Sequence, residues 1–383
     1  MSKFIITCLS KQTLPNFLLI KTFFEEGDTI YFITTDKFKD TAPIREALAV
    51  NNYLKKAKIK QLELKDGIED TSFIKIVEEF NKNFSENKET KYIVNLTGGN
   101  KLESLALFDV FKDKDNAILI YKPISKNKFF NLIKENEDLP INHQMDVKEF
   151  LYLAGINEIR ERQYHFDDEG MYAEKIFGKF NSFTEKERDY IKSLETAQKD
   201  EPAFISFFTN IEFPKKIADI NNRDKKYLTK NEWFEEYTTK KLQDNFKDIK
   251  IYNGRIKYQD DIKDNELDCV FTLNNELFIV ECKTVLDHTT ENKWLESAIA
   301  KAQRIKDKLG HLSVHFYFFY IKKEGNTNEI DKSIHDAERN ERILFFNNTD
   351  ELIFQIKKDA GLLVNDKDSQ SNNPDDVKPQ AGK

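Results

Sequence analysis

Short, almost wholly apolar runs recur along the first third of the chain, and stretches with the 3.6-residue period of a helix lie between them. Phe4–Leu9, Thr29–Thr34, Tyr92–Leu96 and Ala117–Tyr121 are runs of strand length. Asn16–Phe24, Ile44–Tyr53, Ser72–Phe84 and Leu102–Phe111 carry the helical period. Strands that are apolar throughout, without polar alternation, are buried on both faces. The pattern therefore predicts an α/β domain over residues 1–135, a parallel sheet with helices on both sides.

The pattern changes twice further on. Residues 136–225 are charge-rich and less regular, with helical stretches at Val147–Ala154 and Thr184–Thr196. They read as a connector with a small helical region. Residues 226–360 predict a second α/β domain: a helix at 232–247, strands at 267–271 and 277–282, a helix at 292–309 and a strand at 313–321. From 361 the chain runs into Asp, Asn, Ser, Pro and Lys without aromatics, the composition of a disordered tail. A length of 383 residues agrees with two cores. Hydrophobic residues make up 39% and include 32 Phe, enough to fill both. No run reaches the roughly 18 apolar residues of a membrane span, and no apolar leader opens the chain. Three cysteines, all in apolar runs, argue against a disulfide framework and for a reducing, cytoplasmic setting. The net charge of −7 confines any contact with nucleic acid to a local basic groove.

The second domain concentrates its chemistry on one hairpin. Glu266-Leu267-Asp268-Cys269 lies on one strand and Glu281-Cys282-Lys283 on the next, with Asn274-Asn275 as the turn. Strand alternation puts Glu281 and Lys283 on one face and Cys282 on the other. It puts Glu266 and Asp268 together, opposite Leu267 and Cys269. Asp268, Glu281 and Lys283 can then meet. Two carboxylates can hold hard divalent cations, and a lysine beside them can orient a water or offset phosphate charge. The plainer alternative is a half-exposed hairpin with an ordinary Glu–Lys pair. On the preceding helix, Glu235 falls within the apolar arc of Phe234, Leu242 and Phe246, whereas Glu236 faces solvent. Glu235 is accordingly the candidate, with the alternative that it sits at the edge of the arc and reaches water. Lys301, Arg304 and Lys308 form a stripe on the later helix, either a phosphate-backbone contact or a solvated face.

In the first domain a strand runs into Thr97-Gly98-Gly99-Asn100-Lys101 and then a helix. Backbone N–H groups at such a turn form an anion site, although a tight turn without a ligand reads the same way. Ligands of open parallel sheets bind beyond the carboxyl ends of the strands. Those ends carry Ser10-Lys11-Gln12-Thr13-Leu14-Pro15-Asn16, Thr34-Thr35, and Lys122-Pro123-Ile124-Ser125. The motif is neither GxGxxG nor a P-loop, so a dinucleotide or ATP-hydrolysing site is not expected.

The ELD…ECK hairpin behind a WFEE helix resembles the PD-(D/E)xK nuclease superfamily. The resemblance implies a restriction-endonuclease-like fold. Asp268 and Glu281 would be metal ligands, Lys283 the catalytic lysine and Glu235 an accessory acid. Gln303 falls where related enzymes carry a glutamine near the site. The glycines often found before the Trp of that helix are absent here. The SKQTLPN and NLTGGNK loops resemble those of CARF domains, which are Rossmann-like sensors, with Asn100 where TGGTK is usual. Together the two halves resemble the CARF–nuclease effectors of type III CRISPR antiviral systems, the Card/Can group. That resemblance implies a homodimer whose paired CARF domains bind cyclic oligoadenylate, usually cyclic tetra-adenylate. It also implies an activated nuclease that nicks or cleaves DNA, and in some members single-stranded RNA, with Mn2+ or Mg2+. Three other functions fit the same sequence: a nucleotide-sensing DNA-binding regulator that does not cut, a ring nuclease that degrades the cyclic activator, and a nuclease without a gate.

Overall fold

In the computed structural model the described residues are 2–50, 57–64, 72–84, 89–123, 126–134, 137–156, 158–161, 171–180, 182–257, 265–284, 291–309, 312–321, 334 and 343–363. The expected disordered tail lies outside them from residue 364 onward.

The first sheet is built from β1 (Lys3–Cys8), β2 (Thr29–Thr35), β3 (Lys58–Leu64), β4 (Lys91–Asn95), β5 (Ala117–Tyr121), β6 (Lys128–Asn131) and β7 (Asp138–Pro140), in the order β3-β2-β1-β4-β5-β6-β7. β3 to β5 in that order are parallel, with Phe4 of β1 beside both Thr29 and Tyr92. β6 and β7 extend the sheet antiparallel. Helices α1 (Leu14–Phe23), α2 (Ala42–Ala49) and α5 (Val147–Leu153) bury Phe17, Leu48 and Phe150 in one core with Ile5. Helices α3 (Phe73–Asn83) and α4 (Lys101–Phe111) bury Phe80, Leu107 and Phe111 in a second core with Ile6 and Val94. Successive residues Ile5 and Ile6 of β1 thus enter opposite cores, which is why its Phe4–Ile6 run is apolar without alternation. Each fully buried Phe contributes about 1.5–3 kcal/mol relative to an exposed one. Strand order reverses between β1 and β4, so the loops after them open side by side at the switch point where open sheets bind ligands.

The second sheet has the order β13-β12-β11-β10-β9-β8, from β8 (Glu158–Glu161), β9 (Tyr252–Lys257), β10 (Asn265–Leu273), β11 (Glu276–Thr284), β12 (Val314–Ile321) and β13 (Leu344–Phe346). β8 to β11 pair antiparallel, and β11 to β13 pair parallel. The predicted hairpin is present, with Asn274 and Asn275 at φ 49° and 62°. Both residues are therefore in the left-handed region that a tight two-residue turn requires. On one face α11 (Glu291–Leu309) packs Leu295, Ala298, Ala302, Ile305 and Leu309 over Ile279, Phe316 and Phe318. The other face, with Phe271, Phe278, Val280 and Phe319, is covered by α10 (Glu232–Asn245) and α12 (Thr349–Asp359).

The stretch expected to be a connector is largely part of this second unit. Its strand β8 is an edge of the sheet. Its helices α6 (Met171–Phe180), α7 (Glu185–Ser193), α8 (Pro202–Asn210) and α9 (Asn222–Thr229) share a core with α10. Phe177 stacks on Tyr237 at 3.9 Å between ring centroids, and Phe180 lies 4.9 Å from Trp233. Helices α7 and α9 are mostly polar and α8 is mostly apolar, so none of them closes a core by itself and the shared core emerges only when they assemble. Among the described residues, no helix is long and apolar enough to cross a membrane. All three cysteines are buried and free.

Candidate functional site

β10 and β11 carry the acidic cluster. Cys269 pairs with Val280, so Asp268 and Glu281 are the next residues along the two strands. Both are buried, at 3% and 0% exposure. Asp268 Oδ2 accepts a 2.8 Å hydrogen bond from the Cys282 backbone N–H. The Lys283 ammonium lies 3.4 Å from Asp268 Oδ2 and 3.5 Å from Glu281 Oε2. Burial opposes charge on Lys283, but Asp268, Glu281, Cys282 and Glu235 outweigh it and its pKa is raised. Glu281 responds the other way. Burial, then the charge of Asp268, raise its pKa against the opposing pull of Lys301 and Lys283.

One part of the predicted alternation fails. The ladder between β9 and β10 shifts between Leu267 and Val270. Leu267 packs into the core under α11, while Cys269 packs into the core under α10, so the two do not share a face. A bulge adds a residue to one strand and re-aims its side chains. On β11 the alternation holds: Cys282 turns away from Glu281 and donates its thiol to Thr238 on α10 at 3.3 Å.

Glu235 is buried as predicted, and Asn253 of β9 donates to its Oε2 at 3.0 Å. The same amide nitrogen donates to the Asp268 carbonyl, tying the helix to the bulged strand. Glu236 does not face solvent. It is 5% exposed and accepts a hydrogen bond from the Tyr227 hydroxyl of α9, because α9 covers the side of α10 that the wheel leaves to water. The missing glycines have a substitute: Asn231, just before α10, takes φ 61°. Asparagine tolerates that left-handed conformation better than most residues.

α11 splits the basic stripe. Lys301 turns into the cluster and its ammonium sits 2.6 Å from Glu281 Oε2. Arg304 and Lys308 are exposed. Gln303 is half-buried on the same helix, and among the described residues no hydrogen bond links it to the cluster. Lys301 as a partner of Glu281, and Asn253 as a bridge, are the members that sequence reasoning missed. Lys301 was visible only as part of a surface stripe, and nothing in YNGRIK marks its asparagine.

No group of three or more His, Cys, Asp or Glu among the described residues is arranged to hold a metal ion. Two carboxylates do converge, and Glu281 Oε1 is buried with no hydrogen-bond partner among the described residues. An unbonded anionic oxygen beside a second carboxylate is a donor set that suits a hard cation.

In the first domain the structure sorts the loop residues into buried and open ones. Asn16 is fully buried and accepts from Thr7 Oγ1 at 2.6 Å and Asn95 Nδ2 at 3.0 Å, while donating to the Cys8 carbonyl at 2.9 Å. Its amide holds α1 to the sheet. Thr34 and Thr35 are also buried; the Thr35 hydroxyl accepts from the Phe38 N–H at 3.3 Å. Asn100 caps α4 in a reciprocal box with Glu103. Gly98 and Gly99 lie against Cys8, and Gly99 has φ +79°. Thr97 accepts from the Lys122 N–H at 2.7 Å. Burial lowers the pKa of Lys122, with Glu276 opposing, and its ammonium donates to the Lys126 carbonyl at 3.1 Å. Gln12 and Lys101 are exposed, and Ser10, Thr13, Pro15 and Thr97 are half-buried around them. Ser125 lies outside the described residues.

Residues 4–150 match the family described as the Card1 CARF domain, and residues 222–342 match the family described as the Card1-like endonuclease domain. Among solved structures, the chain is similar to Can2 from Sulfobacillus thermosulfidooxidans in complex with cyclic tetra-adenylate. The TM-score is 0.66 at 18% identity, covering 94% of this chain and 99% of that one. It is also similar to protein VC1899 from Vibrio cholerae, with TM-score 0.71 at 15% identity, covering 94% and 98%. At these identities the likeness is one of fold. No curated protein matches in sequence.

Proposed function

We propose, from the premise that this chain belongs to the CARF–nuclease effectors, with a Card1 CARF domain at residues 4–150 and a Card1-like endonuclease domain at 222–342, that it is a nuclease switched on by cyclic tetra-adenylate. In this reading it acts as a homodimer in type III CRISPR antiviral defence and nicks or cleaves DNA. The observation that carries the reading is the meeting of Asp268, Glu281 and Lys283 at one end of a hairpin, with both lysine contacts at or within 3.5 Å. The likeness to Can2, whose structure contains cyclic tetra-adenylate, supports the choice of activator.

Asp268 and Glu281 would hold the divalent ion, Mn2+ or Mg2+. Bound there, it supplies a water of lowered pKa and a counter-charge to phosphate. Lys283 orients the attacking water and offsets charge gathering on the phosphate oxygens. Glu235 acts at one remove, holding Asn253 and through it the backbone of Asp268. Arg304 and Lys308 receive the phosphate backbone along α11. In the first domain, the N–H groups at Gly98-Gly99 and the side chains of Gln12, Thr97 and Lys101 contact the ring.

Supercoiled plasmid, labelled single-stranded DNA and labelled RNA, each with manganese and with or without cyclic tetra-adenylate, test the proposal. Cutting is expected only with the activator. Glu281→Ala and Lys283→Ala are each expected to lower it on the order of 10²-fold or more. Equal cutting without activator rejects the gate, and no cutting of any substrate replaces the nuclease with a non-cutting sensor. Loss of the cyclic nucleotide itself during incubation would identify a ring nuclease.

A further inference from the structure

The turn of the acidic hairpin is inserted into the first domain. Asn275 is 1% exposed, although it sits at the tip of a two-residue turn. All the hydrogen-bonding directions of its amide that matter are used across the domain boundary. Nδ2 donates to Asn127 Oδ1 and to the His143 carbonyl, both at 2.8 Å. Oδ1 accepts from the Met145 N–H at 2.8 Å. Neighbouring residues reinforce the contact. Thr272 donates its hydroxyl to the Met145 carbonyl, and the Tyr252 hydroxyl reaches the Asp146 carboxylate at 2.9 Å.

The receiving side is continuous with the loops at the ligand edge. Asn127 follows Lys126, whose carbonyl accepts from Lys122, and the backbone of Lys122 is bonded to Thr97 of the TGGNK turn. The inserted side is continuous with the acidic cluster. Glu281 lies six residues along β11 from Asn275, about 20 Å at strand rise. β11 is hydrogen-bonded on both sides within its sheet, so a displacement at its tip is transmitted along a stiff element.

We infer that Asn275 is the positioning residue that couples the two domains: Asn127 in the loop after β5, together with His143 and Met145 between β7 and α5, holds the tip of the hairpin, and rearrangement at the nucleotide edge moves Asp268 and Glu281 through it. This rests on the gated-nuclease reading above. Three well-formed bonds to one buried amide make a contact with discrete made and broken states, which is what a coupling element requires. By reciprocity, the same contact reports the state of the hairpin back to the nucleotide edge.

Asn275→Gly tests this in the full-length protein, because glycine keeps the positive φ of the turn while removing every side-chain bond. Asn127→Ala removes a single bond and serves as a milder variant. Two readouts are taken: the ratio of cleavage with and without cyclic tetra-adenylate, and amide hydrogen exchange in residues 265–284 without ligand. In Asn275→Gly the ratio is expected to fall by about tenfold or more, with faster exchange in the hairpin and cyclic tetra-adenylate still bound by calorimetry. Asn127→Ala is expected to fall in between. A purely structural role would lower both arms of the ratio together, and that outcome overturns the inference. So does an unchanged ratio or unchanged hairpin protection. If the unaltered protein itself is not stimulated by the ligand, the gating proposal fails, and the inference is then decided by hairpin exchange alone.

Discussion

At Gly98 a methyl group would stand 2.6 Å from the Cys8 carbonyl oxygen and 3.2 Å from Asn16 Oδ1, both fixed by the β1 ladder and the buried amide network. Gly98→Ala is therefore expected to cost about 1–3 kcal/mol of stability, read as a lower denaturant midpoint, because backbone has to move to admit it. An unchanged midpoint would show that the turn gives way easily. Single residues were legible in the sequence where chemistry and period agreed. Glu235 was found because a carboxylate lay in an apolar arc. Glu236 was misplaced because the wheel treats a helix as having one buried side, and α9 gives α10 a second. Asn16 belongs to a buried network, not to the open loop, since its partners Thr7 and Asn95 come from two other strands.

Among the elements, α5 carries an ionic centre that pH can address. Glu149 is fully buried, with Lys21 at 3.0 Å and His143 Nε2 at 2.8 Å. Burial alone would raise its pKa, but the His143 bond, the Asp146 N–H and Lys21 together hold it below the ordinary 4.5. A depressed carboxylate stabilises the fold above the unfolded-state value and loses that contribution as pH falls through the folded value. Glu149→Gln should thus melt at a lower temperature than the unaltered chain at pH 7, and the gap should narrow below 4.5. A gap that stays constant down the acid range would remove Glu149 from this role. Strand β3 shows the limit of periodicity at this scale. Its KIKQLEL is a mixed, mostly polar run at a sheet edge, and its membership follows from β2 pairing with it residue for residue. The bulge in β10 was equally invisible, since an inserted residue changes facing without changing composition.

For the whole molecule, the strongest expectation concerns stoichiometry. The loops of a single first domain form one set, and a ring of repeated units suits two such sets related by a two-fold axis. Calorimetry is expected to give one cyclic tetra-adenylate per two chains, with sedimentation showing a dimer; one ring per chain would remove the shared pocket. The sequence by itself determined the two α/β units, the parallel core of the first sheet, the acidic hairpin and its turn. Each is written in local periodicity, in turn chemistry, or in a motif a few residues long. The tertiary structure alone decided that helices α6 to α9 share the core of the second sheet with α10, that Lys301 is the partner of Glu281, and that the hairpin tip is locked to the first domain by Asn275. Those relations join residues far apart in the chain, and no local period records which distant surface a side chain will meet. The acidic hairpin was therefore readable as chemistry from its own residues, while its attachment to the nucleotide edge became visible only when the two sheets were seen side by side.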